Sequence, residues 1–139
     1  MKNYNPKKIS LIVGAKIISG YAEDTFVEAD YDEDAFTKKI GADGDCTRVQ
    51  SANTAGNITI TLDQASDSND YLSAQAAIDR ATGTGVVPVT LRDALGRTMI
   101  FSESTWIKKL PATTFGSKSS DRKWLLDSAA MDVFVGGNS

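Results

Sequence analysis

Asn57–Leu62 alternates without a break: Ile58, Ile60 and Leu62 fall on one side of an extended chain, Thr59 and Thr61 on the other. That is the two-residue period of a strand with one buried face. The period recurs along the chain. Ile9, Leu11 and Val13 alternate with Ser10 and Lys8. Val27, Ala29 and Tyr31 alternate with Glu28, Asp30 and Asp32 between Thr25 and Asp32. Val87, Val89 and Leu91, then Met99 and Phe101 on a strand from Arg97 to about Ile107, continue the pattern, and Trp124 with Leu126 and Met131, Val133 and Val135 close it. Only one window, from about 69 to 82, has helical spacing, through Leu72, Ala76, Ala77 and Ala81. Ser68 or Asp67 is placed to cap its start and Gly83 to end it in a left-handed turn. Such a chain folds as a mainly β (α+β) antiparallel domain with one flanking helix. Its 139 residues form a single domain, 1–139, with no linker or internal repeat. Pro88 cannot donate to a ladder, which predicts that its strand runs near a sheet edge.

The stretch between Asp32 and Gly56 is different. It is polar, holds Gly41, Asp43, Gly44 and Asp45 at its middle, and carries short candidate strands at Phe36–Ile40 and Thr47–Gln50. A hairpin arm over about 33–56 is the expectation, too long and hydrophilic to pack on its own domain.

Composition removes most chemistry. There is no histidine, the commonest general acid/base and metal ligand near neutral pH, so triads and transition-metal sites are not expected. The pairs Asp30/Asp32 and Glu33/Asp34 sit in a hydrophilic run, where nothing raises a carboxyl pKa for acid catalysis. Gly41–Asp45 clusters oxygen ligands but lacks the spacing of a calcium loop. The expectation is no enzyme, no metal and no cofactor. Cys46 is the single cysteine and reads as a small half-buried residue. Net charge is -3, with a pI near 4.9, the wrong sign for gripping nucleic acid through phosphates. No apolar run is long enough to cross a membrane. Lys38 and Lys39, and later Lys108, Lys109, Lys118, Arg122 and Lys123, are local basic spots, either solvated surface or complementary to the acidic stretch of another copy.

Several segments together resemble the tail tube proteins of contractile-tailed bacteriophages. They are Glu33–Thr37 leading through Ile40–Gly44 to Thr47 and Arg48; Asn57–Leu62; Ser66–Asp70 with Leu72 and Ser73; Gly96–Thr98; Trp106 and Ile107; and Phe134–Asn138. The resemblance spans nearly the whole chain and rests on order and spacing, since each segment alone is a strand, a cap or a turn. It implies a β-sandwich or barrel-like subunit that assembles as hexameric rings, stacked into a tube inside a contractile sheath. The implied partners are further copies of the chain, the sheath, tape measure and baseplate or terminator proteins. The resemblance further implies that DNA passes through without specific binding and that the location is the virion, after assembly in the bacterial host cytoplasm. If six copies each gave four strands to an inner barrel, roughly 24 strands at about 4.8 Å would enclose a diameter of at least about 37 Å, wide enough for a duplex.

Two sets of residues are singled out. Glu28, Asp30 and Asp32 share one strand face and form a candidate acidic lining of a lumen or of the seam between rings. Phe36, Lys38, Lys39, Gly41, Asp43, Gly44 and Arg48 form a candidate inter-subunit arm. Two rival readings remain open. One is a tube of a related contractile machine, a bacteriocin or secretion tube. The other is a monomeric β-sandwich binding module, which would display an aromatic platform built from Trp106, Trp124 or Tyr21.

Overall fold

The computed structural model describes residues 1–139. Ten strands and one helix follow a short 3-10 turn at Pro6–Lys8: β1 (Ile9–Val13), β2 (Lys16–Ile17), β3 (Val27–Tyr31), β4 (Phe36–Ile40), β5 (Cys46–Gln50), β6 (Gly56–Asp63), α1 (Ser68–Thr82), β7 (Val87–Asp93), β8 (Met99–Lys109), β9 (Asp121–Ser128) and β10 (Met131–Phe134). Eight strands form one antiparallel sheet in the order β2-β1-β7-β8-β9-β6-β3, with β10 also on β8. β4 and β5 form a separate two-stranded sheet.

The large sheet folds back on itself about β8. Met99–Ser102 of β8 pair with β10, whereas Thr105–Lys109 pair with β9 along the same edge. The sheet thereby becomes two layers, β2-β1-β7-β8-β10 and β8-β9-β6-β3, which enclose one core. Leu11, Val13, Val89 and Ile100 come from the first layer, and Ile58, Ile60, Leu62, Trp124 and Leu126 from the second. Where β8 changes partner, Ser102, Thr105 and Ser128 are buried. Thr105 Oγ1 donates to Ser102 Oγ at 2.7 Å, Ser102 shares a hydroxyl contact with Ser128, and Ser128 Oγ donates to Ala130 O at 2.9 Å. Each of these three hydroxyls is therefore satisfied, as the dry interior requires.

α1 closes one end of the sandwich through Ser68 and Leu72, its two buried residues. The expected cap is corrected. Asp67 stands at the N-cap already in helical conformation and makes no side-chain cap bond, while Ser66 Oγ accepts from Ser68 N at 3.2 Å. The Ser68 hydroxyl is spent on tertiary structure, accepting from Ser19 N at 3.0 Å. Gly83 ends the helix at φ 70, the left-handed stop that glycine tolerates best.

The edge position expected for Val87–Leu91 is also corrected, because β7 lies inside the sheet between β1 and β8. Pro88 is accommodated by a register shift between Val87 and Val89 on the β8 side. On the other side the β1 ladder ends at Val13↔Val89, and Pro88 contributes only its carbonyl, to Gly14 N at 2.8 Å. A bulge at a ladder's end is one of the few interior places that can omit an amide.

Candidate functional site

The arm is built from local chemistry. Gly41 N donates to Asp45 O at 2.7 Å, Gly44 takes φ 90, and the Asp43 carboxylate accepts from Asp45 N at 3.2 Å, so the tip is a tight turn. Behind it β4 and β5 pair as Phe36↔Gln50, Lys38↔Arg48 and Ile40↔Cys46, with Thr37↔Val49 and Lys39↔Thr47 between. Alternation puts Phe36, Lys38, Ile40, Cys46 and Arg48 on one face. Every residue from Asp30 to Gln50 is exposed. The arm also continues β3 and β6: Asp32 N donates to Ala55 O at 3.0 Å and Ser51 N to Ala35 O at 2.8 Å across the junction. Cys46, expected to be half-buried, is exposed, because nothing packs over the face of the arm that carries it.

Electrostatics on that face are unbalanced. Lys38 and Arg48 stand directly opposite, and like charges in a cross-strand pair repel. The Arg48 guanidinium lies over the Phe36 ring, 4.1 Å from its centroid, which relieves part of the cost of holding it there.

Glu28, Asp30 and Asp32 lie on the exposed side of β3, the edge strand of the second layer. Register extends this face across the sheet. One row runs Glu28, Thr59, Leu125, and the next runs Asp30, Asn57, Asp127, Trp106. Asp32 accepts from Asn57 Nδ2 at 3.2 Å. Asp32, Asn57, Thr59, Lys108, Leu125 and Asp127 border one depression of about 320 Å³. The outer face of this layer is thus mostly hydroxyl, amide and charge. Asp127 was not singled out from sequence, although the alternation of Trp124 and Leu126 with Leu125 and Asp127 was the signal that could have placed it.

The opposite outer face, on β2-β1-β7-β8-β10, carries exposed apolar side chains among charged and polar ones. Ile17, Ile12, Thr90, Phe101 and Asp132 are successive cross-strand neighbours, and Met99 pairs with Phe134 beside them. Met99 and Phe101 therefore share a face, as the alternation implied, but it is the outward one. Ile100 and Ser102 are the buried residues of that segment.

Little here resembles a reaction centre. The two largest concavities, about 560 and 540 Å³, meet at Ile9 and Phe26 along the gap between β1 and β3. Two of the polar side chains in the first are engaged in structural contacts: Thr98 Oγ1 donates to Gly136 O at 3.1 Å, and Asp93 accepts from Leu95 N and Asn138 Nδ2, each at 3.0 Å. No group of three or more acidic, cysteine or histidine side chains is gathered as a metal site. Trp124 is 2% exposed and packs in the core, which removes it from any aromatic platform, whereas Trp106 and Tyr21 are part-buried. No helix is long and apolar enough to cross a membrane.

With this geometry in place, similarity to known proteins is specific. The family model described as Bacteriophage PhiTE tail tube protein matches residues 12–136. A protein described as structural protein ORF10, from Pseudomonas phage KPP10, is 29% identical over 143 residues, covering 97% of this chain and 83% of its own. A chain of the native gene transfer agent virion superposes with a TM-score of 0.64 at 11% identity, covering 96% of this chain and 100% of that one. A chain of the sheath-tube complex of an extracellular contractile injection system, PVC, in its extended state superposes at 0.60 with 13% identity, over 95% and 93%. At such identities the two structures speak for the fold alone.

Proposed function

This chain belongs to the bacteriophage PhiTE tail tube protein family and is a structural component of the phage tail, and on that premise we propose that six copies close into a ring and that rings stack into the DNA conduit within a contractile sheath. The arm carries the proposal. It exposes two strands on both faces and both edges, from Asp30 to Gln50, with no cover from its own domain. An isolated two-stranded sheet is marginal in water, and its open edges invite pairing. A head-to-tail contact that closes on itself satisfies them in every copy. The proposed partners beyond further copies are sheath, tape measure and terminator or baseplate proteins, and assembly takes place in the host cytoplasm.

The polar layer suits the inside of such a ring. It has four strands, β8, β9, β6 and β3, so six copies supply the roughly 24 strands that give a diameter of at least about 37 Å. Glu28, Asp30 and Asp32 then place negative charge on the lumen wall or the seam between rings. Lys108 and Lys123 share that face, but the acids Glu28, Asp30, Asp32 and Asp127 outnumber them, which limits the salt-dependent grip that each phosphate neutralised by Lys or Arg would add.

Negative-stain electron microscopy of the purified chain tests the assembly; annuli or hollow rods are expected. Removing Gly41–Asp45 should leave a folded monomer that forms neither. Intact tubes from the shortened chain would refute the role of the arm, and a tube structure with all three carboxylates on its outer wall would refute the lining.

A further inference from the structure

One protomer leaves two apolar surfaces uncovered, and they complement each other. The first is the outer face of β2-β1-β7-β8-β10, where Ile17, Met99 and Phe134 are 63%, 48% and 61% exposed and Phe101 lies between them. Glu103 and Asp132 supply its acids and Arg92 its one base. Large exposed apolar side chains gathered on one sheet face and rimmed by charge are normally a protein contact. The second is the arm face with Phe36, Ile40 and Cys46, where Lys38 and Arg48 repel each other and neither hairpin strand carries an acid.

The geometry points to a second copy as the occupant: the Phe36–Ile40 and Cys46–Gln50 arm of one subunit lies across the Ile17-to-Phe134 face of the next. In that arrangement Phe36 and Ile40 cover Phe101 and Met99, while Lys38 and Arg48 meet Glu103 and Asp132. This rests on the tube reading and says which surface receives the arm.

Three observations favour that surface. Charge matches, with two bases on the arm against two acids and one base on the face, and the acids offset the Lys38–Arg48 repulsion. Size matches, because five strands at about 4.8 Å span about 19 Å between the outermost and a five-residue hairpin reaches about 17 Å. Topology favours another copy, since the arm springs from β3 and β6 in the opposite layer of its own subunit and is exposed along its length there. The polar β8-β9-β6-β3 face stays free for the lumen. Each subunit gives one arm and receives one, a heterologous contact that propagates until it closes.

The single native cysteine makes the test direct, because Cys46 sits on the docking face. Thr90→Cys, Glu103→Cys and Asp132→Cys would each be made alone in the full chain, with Thr59→Cys on the polar face as control, assembled and oxidised. Each copy would then offer one thiol on its arm and one on its body, so docking produces a ladder of covalent trimers and larger species on denaturing gels. Thiols bridge only when the two backbones come within about 7 Å. A ladder is expected from at least one of the three face positions and none from Thr59→Cys. Tubes that yield no species beyond the Cys46–Cys46 dimer from any face position, or a ladder from Thr59→Cys, would overturn the docking and leave the tube reading intact. Absence of rings and rods from the unmodified chain would strike the tube reading itself. As a second arm, Lys38→Glu with Arg48→Glu should lower the yield of rods at least tenfold. Adding Glu103→Lys with Asp132→Lys should restore it, and failure of that rescue with all chains folded counts against the pairing.

Discussion

The indole Nε1 of Trp124 donates to Asn69 Oδ1 at 2.9 Å, joining the core of β9 to the first turn of α1. Asn69 uses its other end as well, its Nδ2 donating to Asp63 O at 3.0 Å and Ser66 O at 3.1 Å. One amide thus satisfies the only polar atom of a core tryptophan and holds the entry to the helix. Asn69→Ala leaves the buried indole N–H without a partner, which costs about 1–3 kcal/mol. Asn69→Asp keeps an acceptor for Trp124 but turns a carboxylate oxygen toward the Asp63 and Ser66 carbonyls, two acceptor-acceptor contacts, so it should cost at least as much. Urea unfolding of the arm-shortened monomer, followed by tryptophan fluorescence, measures both.

Gly56 is needed for space. A Cβ there would lie 2.5 Å from Asp30 O on β3 and would also strike the Met131 side chain. Backbone on the edge strand cannot retreat without opening the β3–β6 ladder that begins at Tyr31↔Gly56. Gly56→Ala should therefore destabilise the monomer by about 1–3 kcal/mol, the usual range for overpacking. Hydrogen exchange should show β3 opening before β9.

What could be read in advance divides along sequence separation. The β4–β5 arm joins residues few positions apart, and its glycines and alternating polar side chains spell out a local hairpin. The helix and the strand from Asn57 to Leu62 are legible for the same reason, since each periodicity is local. The change of partner along β8 is not, because it depends on Met131 meeting Ser102 and Ser128 meeting Thr105, contacts that no single window contains. Its buried hydroxyls read as surface residues until the fold brings them together. Pro88 misled for a related reason: a local rule about missing amides cannot foresee a bulge created by a neighbouring strand. Of the surfaces, the acidic row was visible on β3 alone. Its continuation through Asn57, Thr59 and Asp127 follows only from register.

Arg122 organises the connection between β8 and β9. It is 9% exposed with no carboxylate among its partners: its guanidinium donates to Ser120 Oγ at 2.6 Å and to Thr114 O at 3.0 Å, and lies over the Phe115 ring. The charge is held by oxygen dipoles from the loop that it ties down. Arg122→Ala should cost about 2 kcal/mol, in the range of a hydrogen bond to a charged group. It should also make residues 111–120 the first site of limited proteolysis, whereas Arg122→Lys restores the charge without the fork that reaches both partners.

Tyr21 gives a pH dependence whose sign can be worked out. Its hydroxyl is buried without a hydrogen-bond partner, its ring packs on Phe26 with centroids 4.7 Å apart, and burial pushes its pKa from 10.0 up to about 12. Desolvation disfavours the phenolate, so between about pH 10 and 12 the unfolded chain releases this proton and the folded chain keeps it. The folded state then binds more protons, and stability falls as pH rises through that window. A shift of this size corresponds to at most about 2 kcal/mol once partial solvent access to the ring is allowed for. Tyr21→Phe removes both the alkaline loss and the orphaned hydroxyl. The variant should be as stable as the parent or up to about 1 kcal/mol more stable at pH 7, with a flatter profile above pH 10. A phenolate absorbance titration in which the parent and Tyr21→Phe differ by a tyrosine that ionises near 10, or a Tyr21→Phe stability profile as steep as the parent's, would show that this hydroxyl reaches water after all.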